Sequence, residues 1–212
     1  MTNTHKVRIV AISGSLRAKS FSRMAVLTAL EGARQLGAET EYLDLRDVRV
    51  ACDGNEEDRG YPDSVYTLRE AVKSAHGVLL CTPEYHGSVS GVLKNALDLM
   101  GFREFSGKII GLLGVSAGAL GGIDALNTLR SVGRALHAWV APQQAAIPFC
   151  GRAFDENGQI IDPKMRERVL DVGRQVVRFA YLHHSPQAQD FLRAWEEAAP
   201  NPGGNQDTVP GR

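Results

Sequence analysis

Three short stretches of this 212-residue sequence concentrate side chains that can do chemistry. The first is Ser13-Gly14-Ser15-Leu16-Arg17-Ala18-Lys19-Ser20-Phe21-Ser22. Its hydroxyls are neutral donors, Arg17 adds positive charge, and a helix is expected to begin at its end. A helix N-terminus offers unpaired N–H groups and the positive end of a dipole. Ser15, Arg17, Ser20 and Ser22 therefore suit a phosphate monoester. Neither a Gly-x-Gly-x-x-Gly fingerprint nor a Gly-Lys-Ser/Thr nucleotide loop is present here, so a terminal phosphate fits better than a pyrophosphate. A serine-rich helix cap with a solvated arginine fits the same residues. The second stretch, Thr82 to Ser90, contains Pro83, Glu84, Tyr85 and His86. The third, Gly114-Val115-Ser116-Ala117-Gly118-Ala119-Leu120-Gly121-Gly122, is built of small residues that let a flat ligand approach the backbone. Gly114-x-Ser116-x-Gly118 also fits a hydrolase nucleophile elbow, with Asp162 and His183 or His184 as partners.

The elements that must position these stretches follow from apolar patterning. Short apolar runs over residues 7–12, 77–81, 108–115 and 139–148, with an alternating segment over 41–45, read as strands. Helical spacing marks residues 22–36, 65–75, 89–100, 125–136 and 165–179, and the first of these is closed by Gly37. The second strand of the apolar type is expected to break at Thr82-Pro83. Five β-α repeats with strands apolar on both faces imply a doubly wound α/β domain of three layers, α/β/α, with a five-stranded parallel sheet. Ligands of such sheets bind beyond the strand carboxyl ends, where all three stretches fall. Residues 51–61 read as a polar loop, 154–160 as an excursion around Asn157-Gly158, and 187–198 as a polar helix. The expected division is a single domain over 1–185, a helical extension over 186–198 and a disordered tail over 199–212.

Composition narrows the class. Lys plus Arg and Asp plus Glu are 24 each, so the net charge is zero. That argues against nucleic-acid binding and against a carrier that docks by charge. No apolar run is long enough for a membrane span, and the N-terminal residues carry no leader pattern. Cys52, Cys81 and Cys150 form no Cys-x-x-Cys pair, and His5, His76 and His137 lack metal-ligand spacing. A cytosolic protein without a metal site is expected.

Gly14-Ser15-Leu16-Arg17-x-x-Ser20-x-Ser22 resembles the phosphate loop of the NADPH-dependent FMN reductase family, which includes quinone, azo-dye and chromate reductases of flavodoxin-like fold. Pro83 to Asp98 resembles that family's flavin-ring segment. The family usually has Asn at the positions of Ser22 and His86, and Pro at that of Ser90. The resemblance implies a flavodoxin-like fold, bound FMN, and NADPH or NADH as co-substrate. It also implies a homodimer or homotetramer. Ser15, Leu16, Arg17, Ser20 and Ser22 would hold the phosphate end. The backbone of Pro83, Glu84, Tyr85 and His86 would meet the acceptor edge of the flavin ring, and Ser116, Ala117 and Gly118 its other side. His86 is a possible proton donor, although hydride transfer to flavin needs no protein acid. The implied reaction is ping-pong, with quinone, free flavin, azo compound or metal oxyanion as acceptor. A one-electron carrier and a serine hydrolase are the rival readings.

Overall fold

The computed structural model describes residues 6–48, 51–52 and 60–196. The expected tail over 199–212 and most of the polar loop over 51–61 lie outside these residues. Five parallel strands form the sheet: β1 (Arg8–Ser13), β2 (Glu39–Leu43), β3 (Gly77–Tyr85), β5 (Ile109–Val115) and β6 (Trp139–Ile147). Their order is β2-β1-β3-β5-β6, with the two-residue β4 (Ser88–Val89) antiparallel to the end of β3. The expected doubly wound sheet is thus present.

Strand residues alternate between two cores. Ile9 and Ala11 pack under α1 (Phe21–Gln35) and α7 (Pro163–His184). Val10 and Ile12 pack under α2 (Asp63–Ser74), α3 (Gly91–Asp98), α4 (Phe102–Phe105) and α5 (Ile123–Ala135). Both faces being dry explains why the central strands read as unbroken apolar runs. Helices α1 and α7 touch backbone to backbone. A Cβ on Gly173 would lie 1.8 Å from the Ala29 carbonyl oxygen, and one on Gly32 2.1 Å from that of Leu170. This contact fixes α1, and hence its N-terminus, against the sheet.

Three expectations are corrected. The strand does not stop at Thr82-Pro83. It continues to Tyr85, with Pro83 still in register with Val115. Proline's fixed φ is compatible with an extended chain, so only one donor is lost. Thr82 compensates, because its Oγ1 donates to the Pro83 carbonyl and accepts from Ser90 N. Val89 belongs to β4, and α3 begins only at Gly91, capped by the Ser90 hydroxyl. The alternating strand occupies 39–43, and Leu45–Asp47 is a 3₁₀ turn.

Side chains bond the backbone of β6 at residues 142–144, where its pairing with β5 shifts register. Gln143 N donates to Gln175 Oε1, Arg130 Nη2 to the Pro142 carbonyl, and Arg168 Nε to the Gln144 carbonyl. Arg130 comes from α5 and the other two from α7, so both helical layers reach round to this strand. The closing segments are α6 (Cys150–Ala153), which leads to a bridge between Phe154 and Ile160, and α8 (Pro186–Glu196).

Candidate functional site

The chain leaves β1 for β2 on one side and returns to β3 on the other, so a crevice opens between the ends of β1 and β3. A cleft of about 380 Å³ lies there, within the range of small-molecule sites. Ser15, Arg17, Lys19, Ser20 and Ser22 line it from the first loop, Pro83, Glu84 and Tyr85 from the second, and Ser116 and Ala117 from the third. The three stretches therefore meet. Phe21, Cys150 and Gly151 complete the wall.

Ser15, Ser20 and Ser22 are nearly buried. Ser20 caps α1, accepting from Arg23 N at 3.1 Å, and its hydroxyl lies 3.0 Å from that of Ser22. The N–H groups of the first turn and two clustered hydroxyls thus converge at one end of the cleft, a donor set suited to an anion. Arg17 is exposed, and its guanidinium sits 5.9 Å from the centre of the Tyr85 ring. Its side chain thus reaches toward the second loop.

The second loop is a two-residue hairpin. Tyr85 pairs with Ser88, and the turn residues His86 and Gly87 both have positive φ, 52° and 71°. Two left-handed central residues define the turn type that favours Asn-Gly. His86 accordingly serves the turn, and its exposed side chain is not among the residues lining the cleft. The Glu84 carboxylate also has a structural task. Its Oε2 accepts from Asp124 N and Ala125 N, both at 3.0 Å, capping α5 where Gly122 has no side chain to do so. The loop after β3 is thereby tied to the helix that follows the third loop.

The third loop is held by its neighbours. Ser116 Oγ accepts from Gly118 N, and the Ser116 carbonyl accepts from Cys150 N. Leu16 and Gly118 do not line the cleft. Leu16 faces a neighbouring apolar groove with Leu45, Val48 and Val92, and the Gly118 carbonyl accepts from Phe149 N. Burial pushes the Cys150 thiol up, against the lowering influence of nearby backbone N–H groups and Arg17, so it stays a protonated wall. The hydrolase constellation does not form. Asp162 caps the start of the 22-residue α7, whereas His183 and His184 lie at its end. His183 stacks on Trp139 at the first residue of β6, at the amino end of the strands, whereas Ser116 follows the carboxyl end of β5.

Phe21, Lys19, Cys150 and Gly151 were not singled out from the sequence. Lys19 and Phe21 sit inside the first stretch and could have been found there. Cys150 and Gly151 arrive through the segment after β6, where Phe149 takes a left-handed conformation that no residue type announces. The Phe21 ring stacks on Phe154 at 5.6 Å and brings that segment over the start of α1.

The sequence matches the profile of the family described as NADPH-dependent FMN reductase over residues 7–151. The chain belongs to that family. It is 33% identical over 181 residues to the NADPH-dependent FMN reductase ArsH of Shigella flexneri, a match spanning 83% of this chain and 69% of that one. It is 38% identical over 166 residues to the NADPH azoreductase of Bacillus sp. (strain OY1-2), spanning 78% and 90% of the two chains. Among solved structures, the flavoenzyme NAD(P)H:(acceptor) oxidoreductase FerB from Paracoccus denitrificans superposes with a TM-score of 0.71 at 22% identity. That superposition covers 84% of this chain and 98% of that one, and it supports the flavodoxin-like fold. As a member of the NADPH-dependent FMN reductase family, the protein is an oxidoreductase. Among the described residues no group of three or more metal-ligating side chains occurs, and no helix is long and apolar enough to cross a membrane.

Proposed function

We propose that the cleft binds FMN and serves an NAD(P)H-dependent oxidoreductase whose acceptor is a flat conjugated molecule such as a quinone, an azo compound or free flavin. The observation that carries this reading is the convergence of three loops on one crevice, with an anion-type donor set at one end and exposed backbone at the other. Ser15, Ser20 and Ser22, with the first N–H groups of α1, would take the phosphate. The backbone of Pro83 to Tyr85 and the small residues Ser116 and Ala117 would hold the ring. FMN supplies the redox chemistry when bound, taking two electrons from the nicotinamide and yielding them to the acceptor.

The protein residues orient and enclose. Buried hydroxyls offer donors that need no reorganisation when an anion arrives. Tyr85, 42% exposed, presents an aromatic surface at the mouth where a second planar substrate can lie. Arg17 and Lys19 flank that mouth and favour a phosphorylated reductant such as NADPH. No side chain is required as nucleophile. Use of one mouth by reductant and acceptor in turn predicts ping-pong kinetics.

The test is the visible spectrum of the purified protein with FMN, recorded anaerobically before and after NADPH. Bleaching of the flavin band and its return on adding quinone are expected. A protein that neither retains FMN nor bleaches would overturn the reading. We further propose a homo-oligomer. The groove between α3 and α5, where Phe102 is 59% exposed, is the apolar face suited to it.

A further inference from the structure

Arg23 is the charged residue closest in sequence to the anion end that the site as described leaves without a task. It is the third residue of α1, one position beyond Ser22. Its backbone N–H donates to the Ser20 hydroxyl, and its Nη2 donates to the Ala18 carbonyl. The side chain thus grips Ala18, while the bond to Ser20 is the backbone cap that any residue here except proline would make. The other guanidinium nitrogen, Nη1, is buried and has no hydrogen-bond partner. Asp44 is near enough to feel the charge, but its carboxylate is engaged by Arg46 through two contacts of 3.0 Å to Nε. Among the described residues Arg23 forms no ion pair with a carboxylate.

The loop needs such a grip. Among the described residues, no backbone–backbone hydrogen bond outside regular elements involves residues 15–19. The first ones flanking them are Gly14 N to Cys81 O and Met24 N to Ser20 O. Within the loop, Arg17 N reaches Ser15 Oγ only at 3.4 Å. A loop that must present hydroxyls and N–H groups together loses affinity if it has to be ordered at the moment of binding.

We propose that Arg23 is a positioning residue for the phosphate end of the cofactor site. Its guanidinium holds Ala18 on the first turn of α1, next to the Ser20 cap, and brings there a positive charge with no ion pair among the described residues. The ligand chemistry it serves is a phosphate monoester, and the inference rests on the FMN reading above. Arg17 lines the cleft itself, whereas Arg23 is not among the lining residues and acts through the loop. The two differ in geometry, because Arg17 extends over Tyr85 while Arg23 turns back into its own loop.

A positioning role specific to phosphate predicts a loss confined to the phosphorylated flavin. Flavin-free full-length protein is titrated with FMN and, separately, with riboflavin, following quenching of flavin fluorescence. The unaltered protein should bind FMN more tightly than riboflavin. Arg23→Ala should weaken FMN roughly tenfold, the scale of a lost charge-assisted hydrogen bond, and leave riboflavin within about twofold. Arg23→Lys, which keeps the charge without the fork, should recover part of the FMN preference. If Arg23→Ala does not fold, as judged by circular dichroism, the same ratio is read on Arg23→Lys, where a drop of a few fold is expected. An FMN preference that survives in the variant, or equal losses for both flavins, would overturn the role of Arg23. An unaltered protein with no preference for FMN would instead overturn the phosphate assignment itself.

Discussion

At the cleft mouth Arg17 is exposed, so its contribution to binding depends on reaching an anion across solvent. Replacing it by Ala should weaken FMN binding by roughly tenfold at low salt and by less at high salt, because an exposed charge is screened. Equilibrium dialysis at two ionic strengths checks this; an affinity indifferent to both the substitution and the salt would exclude Arg17 from the site. His86 presents the opposite case. Its left-handed φ of 52° is costly for most residues and easiest for Gly, Asn and Asp. His86→Asn should therefore keep or slightly raise the melting temperature and leave kcat for quinone reduction within about twofold, since hydride transfer to flavin needs no protein acid. A large fall in kcat with an unchanged fold would restore it as an acid. These two residues show how far composition could reach. The place of Arg17 at the cleft was legible because its type and loop agree. The left-handed turn at His86 was not, because the residue letter does not announce the backbone angle.

At the scale of elements, the Glu84 carboxylate joins the end of β3 to the start of α5. Glu84→Ala should cost about 1 kcal/mol, the usual worth of a helix cap, measurable as a lower denaturation midpoint. It should also raise KM for the nicotinamide more than it lowers kcat, because the second and third loops would no longer be held together. Unchanged stability would mean that water replaces the cap without loss. This link was invisible beforehand. Forty residues separate Glu84 from Asp124 in the chain, and only the adjacency of β3 and β5 brings them together. The strands themselves were readable because both their faces are buried. Their ends were less so: Pro83 looked like a stop, yet an extended chain tolerates it, and Val89 suited a helix face as well as a strand.

For the whole molecule, acid stability depends on pairs such as Asp44 with Arg46. The hydrogen bonds from Arg46 hold the Asp44 carboxyl below the usual carboxylate range, overcoming a smaller upward push from burial. The unfolded chain then binds this proton more readily than the native one. The stabilisation is in place above the ordinary carboxylate pKa and is lost as pH falls through the lower native value. Asp44→Asn should flatten the acid limb of the curve of stability against pH, followed by urea melts between neutrality and acid. An unaltered limb would assign that dependence to other carboxylates. If copies associate through the α3–α5 face, sedimentation should show a species larger than the monomer, and Phe102→Glu should dissociate it. A monomer at micromolar concentration with full activity would refute the assembly.

The side chains along β6 set a limit on how such copies can meet. At residues 142–144 the backbone of β6 is already bonded by arms from α5 and α7, so a second molecule pairing with that stretch would first have to displace them. A copy that met this stretch of β6 would therefore have to do so through side chains, leaving the ladder unextended there. The same arrangement guards this stretch against edge-to-edge pairing, and loosening it, for instance by shortening Gln175, would free a backbone donor at the border of the sheet.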